Sequence, residues 1–72
     1  MREYLRNSAG HRLGYIDRGA VQDVARTMDG YLLGYFIHSR NQTTDSIGHV
    51  IGFGDLLAGL IYGAGQEHRG GG

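Results

Sequence analysis

Short apolar stretches alternate with polar, glycine-centred stretches along the first three quarters of this chain. Residues 13–16, 33–37 and 50–53 are rich in aromatic and branched side chains, and each stretch follows a polar segment that contains a glycine. Short apolar runs bounded by turn residues are typical of β-strands. With their shorter incoming partners, these runs predict three hairpins and about six short strands.

One frame recurs in the three hairpins: Arg or Thr, three residues, Gly, two residues, Leu or Ile, Gly, and an aromatic residue. It occupies residues 6–15, 26–35 and 44–53. The tetrads NSAG, TMDG and DSIG within it each open with a side chain that bonds backbone amides and close with Gly. This order predicts a type I turn followed by a residue of positive φ.

A second glycine stands inside the outgoing strand of each unit, at positions 14, 34 and 52. Glycine weakens a strand because it adds backbone entropy and has no side chain to pack. Its repetition predicts either a β-bulge or bend at that position, or the close approach of another backbone or ring.

The segment after the third hairpin predicts a short helix at about residues 55–62. Asp55 suits the N-cap and Gly63 suits the end of a helix, with apolar residues between them on one helical face. A seventh strand is the alternative. Residues 64–72 are Gly-rich and polar and are expected to form a flexible tail, so residues 1–63 make the domain.

Self-association is expected from the small size and from the distribution of apolar residues. A chain of 72 residues without Cys has a thin core and no disulfides to support it. Leu33 and Tyr35 point to one face of their strand and Phe36 to the other, so the second face is free to meet a partner copy. The expected oligomer contacts are Leu56, Leu57, Leu60 and Ile61.

The charges exclude a global electrostatic attraction to a polyanion. Seven basic and seven acidic residues cancel, which makes nucleic acid an unexpected partner. All seven basic residues are Arg, which a GC-rich coding sequence explains most simply. No stretch has the length and apolar character of a membrane span or a signal peptide, so we expect a soluble, cytoplasmic protein without membrane contact.

A surface of arginine and aromatic residues is the strongest candidate for interaction with another molecule. Such residues on matching strands can stack on bases or sugars, although arginine stems that cover aromatic rings produce the same pattern without a ligand. The candidate residues are Arg6, Tyr15, Arg26, Tyr35, Phe36 and Phe53.

Catalytic and metal-binding chemistry has little support in the sequence. His11 and His49 follow the turn glycines of two units, but their spacing matches no ligand motif. The carboxylates fall mostly in turns, and the glycine spacing fits neither a P-loop nor a dinucleotide fingerprint. We therefore expect no catalytic residues, no metal and no cofactor, and no enzymatic activity.

The repeated hairpin followed by Gly54-Asp55-Leu56-Leu57 and Leu60-Ile61 resembles small uncharacterised proteins of bacterial mobile elements, of the prophage and integron-cassette type. It also resembles the β-flower type of hairpin-repeat protein. The resemblance covers about residues 3–62 and implies a β-hairpin assembly of unknown role. The third unit departs from the pattern, because Thr44 replaces Arg and Phe53 replaces Tyr.

These observations predict an all-β fold: three β-hairpin repeats that form a small sheet or a barrel-like assembly, with a short C-terminal helix. The expected function is that of a non-catalytic, self-associating structural or protein-interaction module. The alternative is a ligand-binding module for nucleic acid or carbohydrate, which would use the Arg/Tyr surface or a pocket between subunits.

Overall fold

The computed structural model describes residues 1–70, with side chains through residue 64, and contains six strands and one α-helix. The strands are β1 (Arg2–Arg6), β2 (Arg12–Asp17), β3 (Gln22–Thr27), β4 (Leu32–Ile37), β5 (Gln42–Asp45) and β6 (Val50–Phe53). The helix α1 spans Leu57–Gly70, and a single 3-10 turn at His38–Arg40 joins β4 to β5.

The six strands form one antiparallel sheet in the order of the chain, from β1 to β6. Every strand pairs with its neighbours in sequence, as hairpin patterning predicts. The predicted all-β class with a C-terminal helix is confirmed. Of the two arrangements expected, the structure has the open sheet and not the barrel, so β1 and β6 both remain edges.

The three hairpin turns use the predicted chemistry. Gly10, Gly30 and Gly48 have φ values of 87°, 92° and 95°, where a side chain would be strained. The side-chain oxygen of the first tetrad residue accepts backbone hydrogen bonds across each turn: Asn7 from Ala9 and His11, Thr27 from Tyr31, and Asp45 from Ile47 and His49.

Of the two explanations for the second glycine of each unit, the bulge is present in all three units, whereas another backbone lies close only at Gly14 and Gly34; at Gly52 the close neighbour is the Leu56 side chain. The register shifts by one residue just before each of these glycines, at Leu13, Leu33 and Ile51, which is a β-bulge. A Cβ atom on Gly14 would lie 3.0 Å from Ile61 and 2.5 Å from the Arg26 carbonyl oxygen. On Gly34 it would lie 2.7 Å from Leu60, and on Gly52 2.8 Å from Leu56.

The helix and the residue before it therefore lie on a track of three glycines, one from each hairpin. Gly52 belongs to β6, Gly34 to β4 and Gly14 to β2, so α1 crosses the strands from the β6 side towards β1. We call this side of the sheet the helix-covered face and the other side the open face. The buried apolar side chains between helix and sheet are Ile16, Ala25, Leu57 and Ile61, with Leu5, Leu13, Leu33, Phe36 and Leu60 packed around them.

The start of the helix is attached to β5 and to the side chain of Asp55. The buried Thr43 hydroxyl donates to the Gly54 carbonyl (2.6 Å) and accepts from the Leu56 amide (3.0 Å). Asp55 Oδ1 accepts from the Leu57 amide (3.1 Å) at the first residue of the helix, although the N-cap position lies one residue later than predicted, at Leu56, whose carbonyl accepts from the Leu60 amide (3.3 Å).

The structure corrects two boundaries. The helix does not end at Gly63 but continues to Gly70, over residues expected to be a flexible tail, because the segment has no Pro and isolated glycines weaken a helix without stopping it. Residues 71 and 72 of that tail lie outside the described residues. The polar segments between the hairpins, residues 17–23 and 38–43, have the composition of surface loops but are not loops throughout, since β3 begins at Gln22 and β5 at Gln42, and both Asp23 and Thr43 are buried.

Replacing a track glycine should cost far more stability than replacing the glycine in the helix. Gly34→Ala places a methyl group against Leu60 and the Thr44 carbonyl, and should lower the free energy of unfolding by about 2 to 3 kcal/mol. Gly59→Ala is the matched control, because the described atoms leave open space at that Cβ, and it should raise the free energy by about 1 kcal/mol. Urea denaturation measures both, and equal effects would contradict the glycine track.

Candidate functional site

The open face of the sheet divides into two halves of different chemistry. Strand register places Arg2, Tyr4 and Arg6 of β1 on this face, opposite alternate residues of β2 and β3. We call the β1–β3 part the basic half; its members are Arg2, Tyr4, Arg6, Arg12, Tyr15, Asp17, Gln22, Val24 and Arg26. The β4–β6 part, the neutral half, has no charged residue; its members are Leu32, Tyr35, Ile37, Gln42, Thr44, Val50 and Phe53.

Arginine guanidinium groups stack on tyrosine rings in the basic half. The Arg2 guanidinium carbon lies 4.2 Å from the centre of the Tyr15 ring, and that of Arg12 lies 4.3 Å from the centre of the Tyr4 ring. The two rings meet edge to face, with centroids 5.9 Å apart. Cation–π attraction and the ring contact hold the four side chains in a defined arrangement.

Asp17 is the single carboxylate of the basic half. It accepts hydrogen bonds from Arg2 Nε at 2.8 Å and Arg2 Nη2 at 3.2 Å, and its nearest contact with Arg26 is 3.8 Å. The hydrogen bond from Arg2 is the main reason that the pKa of Asp17 is lowered. One acid therefore stands among four arginines, and it is already paired with one of them.

The fold thus separates charges that cancel over the whole sequence. Four of the seven arginines lie on the open face. Glu3 and Asp23 lie on the helix-covered face and, together with Asp55, surround Arg18 at the strand ends away from the β1–β2 turn. The net charge of zero conceals a basic half on one face and an acidic cluster elsewhere.

The acidic cluster is a site that sequence analysis did not predict. Arg18 donates to Asp55 at 2.7 Å, to Asp23 at 2.9 Å and to Glu3 at 2.9 Å, which joins the helix start to β1 and β3. These hydrogen bonds, that to Asp55 first, raise the pKa of Arg18. Arg18 and Asp23 are five residues apart, but Glu3 and Asp55 are 15 and 37 residues from Arg18 and reach it only through the fold, so no local pattern indicates the full cluster.

Asp23 lies buried at the centre of this cluster. Burial alone would raise its pKa, but hydrogen bonds from the Gly19 amide, Arg18 and His38 outweigh burial and lower it. The other ring nitrogen of His38 lies 3.2 Å from the Ala20 carbonyl oxygen. Both nitrogens of His38 therefore contact acceptors of the protein itself.

Exposed apolar side chains are concentrated in the edge strand β6 of the neutral half and in the residues next to it. Phe53 is 73% exposed, Val50 54% and Ile51 48%, although all three lie in a strand. Ile47 in the preceding turn and Leu56 after the strand are exposed beside them. This group, which we call the β6 patch, is the apolar edge of the sheet.

Five of the six candidate interaction residues lie on the open face: Arg6, Tyr15 and Arg26 in the basic half, and Tyr35 and Phe53 in the neutral half. Phe36 does not join them. It pairs with Asp23 and Thr43 on the helix-covered face and packs against the core. Arg2 and Arg12 were missed, although the alternation Arg2, Tyr4, Arg6 along a predicted strand was a signal for one face.

The four candidate oligomer contacts divide between core and surface. Leu57 and Ile61 are fully buried against the sheet of their own chain, so they are not available to a second copy, and their assignment to an oligomer contact is corrected. Leu60 is half-buried and also packs on the core, whereas Leu56 remains exposed and belongs to the β6 patch.

A cleft of about 400 Å³ opens between the first two hairpin turns and the helix. Its lining combines Arg12 and Asp29 with apolar groups, and the full set is Arg12, Leu13, Thr27, Met28, Asp29, Tyr31 and Ala64. Through Arg12 the cleft adjoins the basic half. Within the residues that the structure describes, no three His, Cys, Asp or Glu side chains are placed to hold a metal ion, and His11 and His49 are exposed at separate turns.

The chain has no match among protein-family models, curated proteins or solved structures. The helix that the structure describes is not long and apolar enough to cross a membrane. The resemblance to small proteins of mobile elements therefore remains a prediction, and the geometry of the surfaces is what indicates a function.

Removing the Asp23 carboxylate should weaken the fold and change how stability depends on pH. Because the pKa of folded Asp23 is lowered, its contribution is present above the ordinary carboxyl pKa of 3.8 and is lost as the pH falls through the lower folded value. Asp23→Asn should lower the free energy of unfolding at pH 7 by about 2 kcal/mol, and should make the loss of stability in acid shallower.

Denaturation in urea at a series of pH values measures both effects. Asp29→Asn is the control, since Asp29 is exposed in the β3–β4 turn, and it should retain the pH profile of the unaltered protein. A D23N profile as steep in acid as that of the unaltered protein would contradict the role given to Asp23.

Proposed function

We propose that this protein is a non-catalytic module that associates with a second copy of itself through β6. The observation that carries the proposal is the β6 patch: an edge strand of sequence VIGF, with exposed apolar side chains and no charge. An uncovered, uncharged edge strand is a ready template for pairing with another chain.

The small core supports association. Among the described residues only Ile16, Ala25, Leu57 and Ile61 are fully buried apolar side chains, whereas several larger ones at β6 are exposed. Burial of apolar surface contributes about 25 cal/mol per Å². A second copy over the β6 patch would therefore add stabilisation that the isolated subunit lacks.

Backbone geometry allows a strand to be added at this edge. The Gly54 amide donates to the Asn41 carbonyl at 2.8 Å, so it points towards β5. Backbone groups of successive residues in an antiparallel strand point to opposite sides. The amide and carbonyl of Phe53 therefore point away from β5 and are available to a partner strand.

The other edge differs in a way that favours pairing of β6 with β6. Strand β1 carries Arg2, Glu3 and Arg6, and charges of this kind protect an edge from pairing. Contact between two β6 strands is isologous and closes after two copies, whereas contact between β6 and β1 would continue into a fibre or a ring. We therefore assign a two-fold dimer in which two sheets join along β6.

The hydrogen bonds of Asp23 and His38 support the non-catalytic part of the proposal. Asp23 and His38 form the one His–carboxylate pair with a buried acid among the described residues. Since both ring nitrogens of His38 face protein acceptors, neither is turned towards a substrate. A general base needs a nitrogen that reaches the reacting proton.

Phe53→Lys should convert the dimer to a monomer, because it places a charge on the most exposed side chain of the apolar edge strand. Tyr31→Lys is the matched control, since Tyr31 is 72% exposed, almost the same as Phe53, but lies in the β3–β4 turn. Sedimentation equilibrium over a concentration series should show a dimer for the unaltered protein and for Y31K, and a monomer for F53K.

The proposal fails if the unaltered protein is a monomer at all concentrations, or if Y31K dissociates as readily as F53K. Circular dichroism of each variant should show the same sheet signal, so that dissociation is separated from unfolding. An assembly that grows without limit with concentration would contradict the closed two-fold contact.

A further inference from the structure

We propose that the basic half of the open face is a binding surface for single-stranded nucleic acid. The proposal goes beyond self-association and uses different residues, because the β6 patch lies at the opposite side of the sheet. It depends on the charge, the planar groups and the dimensions of the basic half.

The charge of the basic half favours an anionic partner. Four arginines face one carboxylate, and Asp17 is already bonded to Arg2. Among the described residues, Arg12 contacts the ring of Tyr4 and no carboxylate, and Arg6 donates only to the Gly10 carbonyl. Arg26 lies 3.8 Å from Asp17, too far for a strong hydrogen bond. Three guanidinium groups therefore retain donors for phosphate oxygens.

The planar groups favour nucleic acid over other anions. The guanidinium groups of Arg2 and Arg12 lie over the rings of Tyr15 and Tyr4, which gathers on this face the planar groups on which unpaired bases stack. An acidic peptide or an anionic membrane would use the charge but not these planes. The stacks exist before any ligand binds, so binding immobilises fewer side chains and loses less entropy.

The dimensions favour a single strand over a duplex. Arg2 and Arg6 are four residues apart on β1, about 13 Å in an extended strand, with Tyr4 between them. The basic half is three strands wide, about 10 Å. This area accommodates a few nucleotides with their bases turned to the sheet, which a paired duplex does not allow.

The proposed dimer would carry two such surfaces. Joining the sheets along β6 leaves the basic halves at the outer ends, since β1–β3 lie furthest from the contact. A nucleic acid long enough to reach both would bind with higher apparent affinity than a short one. Binding of a short strand needs only one subunit, so it tests the surface independently of the dimer.

Fluorescence anisotropy with a labelled twelve-nucleotide oligothymidine tests the proposal. Arg12→Gln and Arg26→Gln should each weaken binding on the order of ten-fold and lower the slope of log K against log salt by about 0.7. Arg40→Gln is the matched control: it makes the same change of charge at the exposed turn between β4 and β5 and should leave both values unaltered.

A second variant tests stacking separately from charge. Tyr4→Leu keeps every charge and an apolar group on β1, yet removes a stacking ring, and it should weaken binding on the order of ten-fold without altering the salt slope. Circular dichroism and urea denaturation establish that each variant is folded. The F53K protein should bind the same short oligonucleotide as tightly as the unaltered protein, whatever its oligomeric state.

Several outcomes would overturn the proposal. One is the absence of oligothymidine binding at low salt. Another is equal loss of affinity in R40Q, which would indicate a general charge effect. Equal or tighter binding of poly-glutamate, of vesicles containing anionic lipid or of duplex DNA would show that the surface recognises charge or another partner. Loss of binding in F53K alone would place the site at the dimer contact.

Discussion

The close approach of a helix to three strand glycines is the contact on which the rest of this structure depends. Leu56, Leu60 and Ile61 each lie over one glycine of the hairpin repeat. A side chain at Gly14 or Gly34 would collide with the carbonyl oxygen of Arg26 or Thr44, and at all three positions it would displace the apolar side chain that lies over the glycine. The repeat is therefore a repeat of packing sites as much as of turns.

Covering one face of the sheet also determines the character of the other. The helix takes up the apolar side chains of one face, and what remains outside is a row of arginines and tyrosines beside an uncharged edge. Glu3, Asp23 and Asp55 are held by Arg18 near the helix start, so Asp17 is the one carboxylate left among the arginines of the open face. One packing arrangement thus produces two distinct surfaces on a chain of zero net charge.

Local features of this protein were predictable from sequence, and features produced by long-range contact were not. The turn glycines, the six strands and the hydrogen bond of Asp55 at the helix start follow from short patterns whose chemistry is complete within a few residues. The burial of Asp23 and Thr43 depends on partners from other strands and from the helix start, and their polar character made them look like loop residues. For Gly34 the sequence predicts two alternatives, a bulge or the close approach of another group. Both are present, because a bulge at Leu33 and close neighbours at Gly34 are compatible. The residues of the open face were predicted only in part. Phe36 was assigned to the interaction surface but lies on the helix-covered face, because the bulge shifts the register of β4 against β3.

The order of strands in the sheet has a consequence for how the chain reaches this structure. Since each strand pairs only with its neighbours in sequence, most contacts close short loops, and proteins of low contact order fold fast. The long-range exceptions belong to the C-terminal segment: Asp55 meets Arg18 across 37 residues, and the Tyr62 hydroxyl donates to the Arg6 carbonyl across 56. The hairpins can therefore form in succession as they leave the ribosome, whereas the helix follows them in the chain and completes the core only after all three glycines are in place.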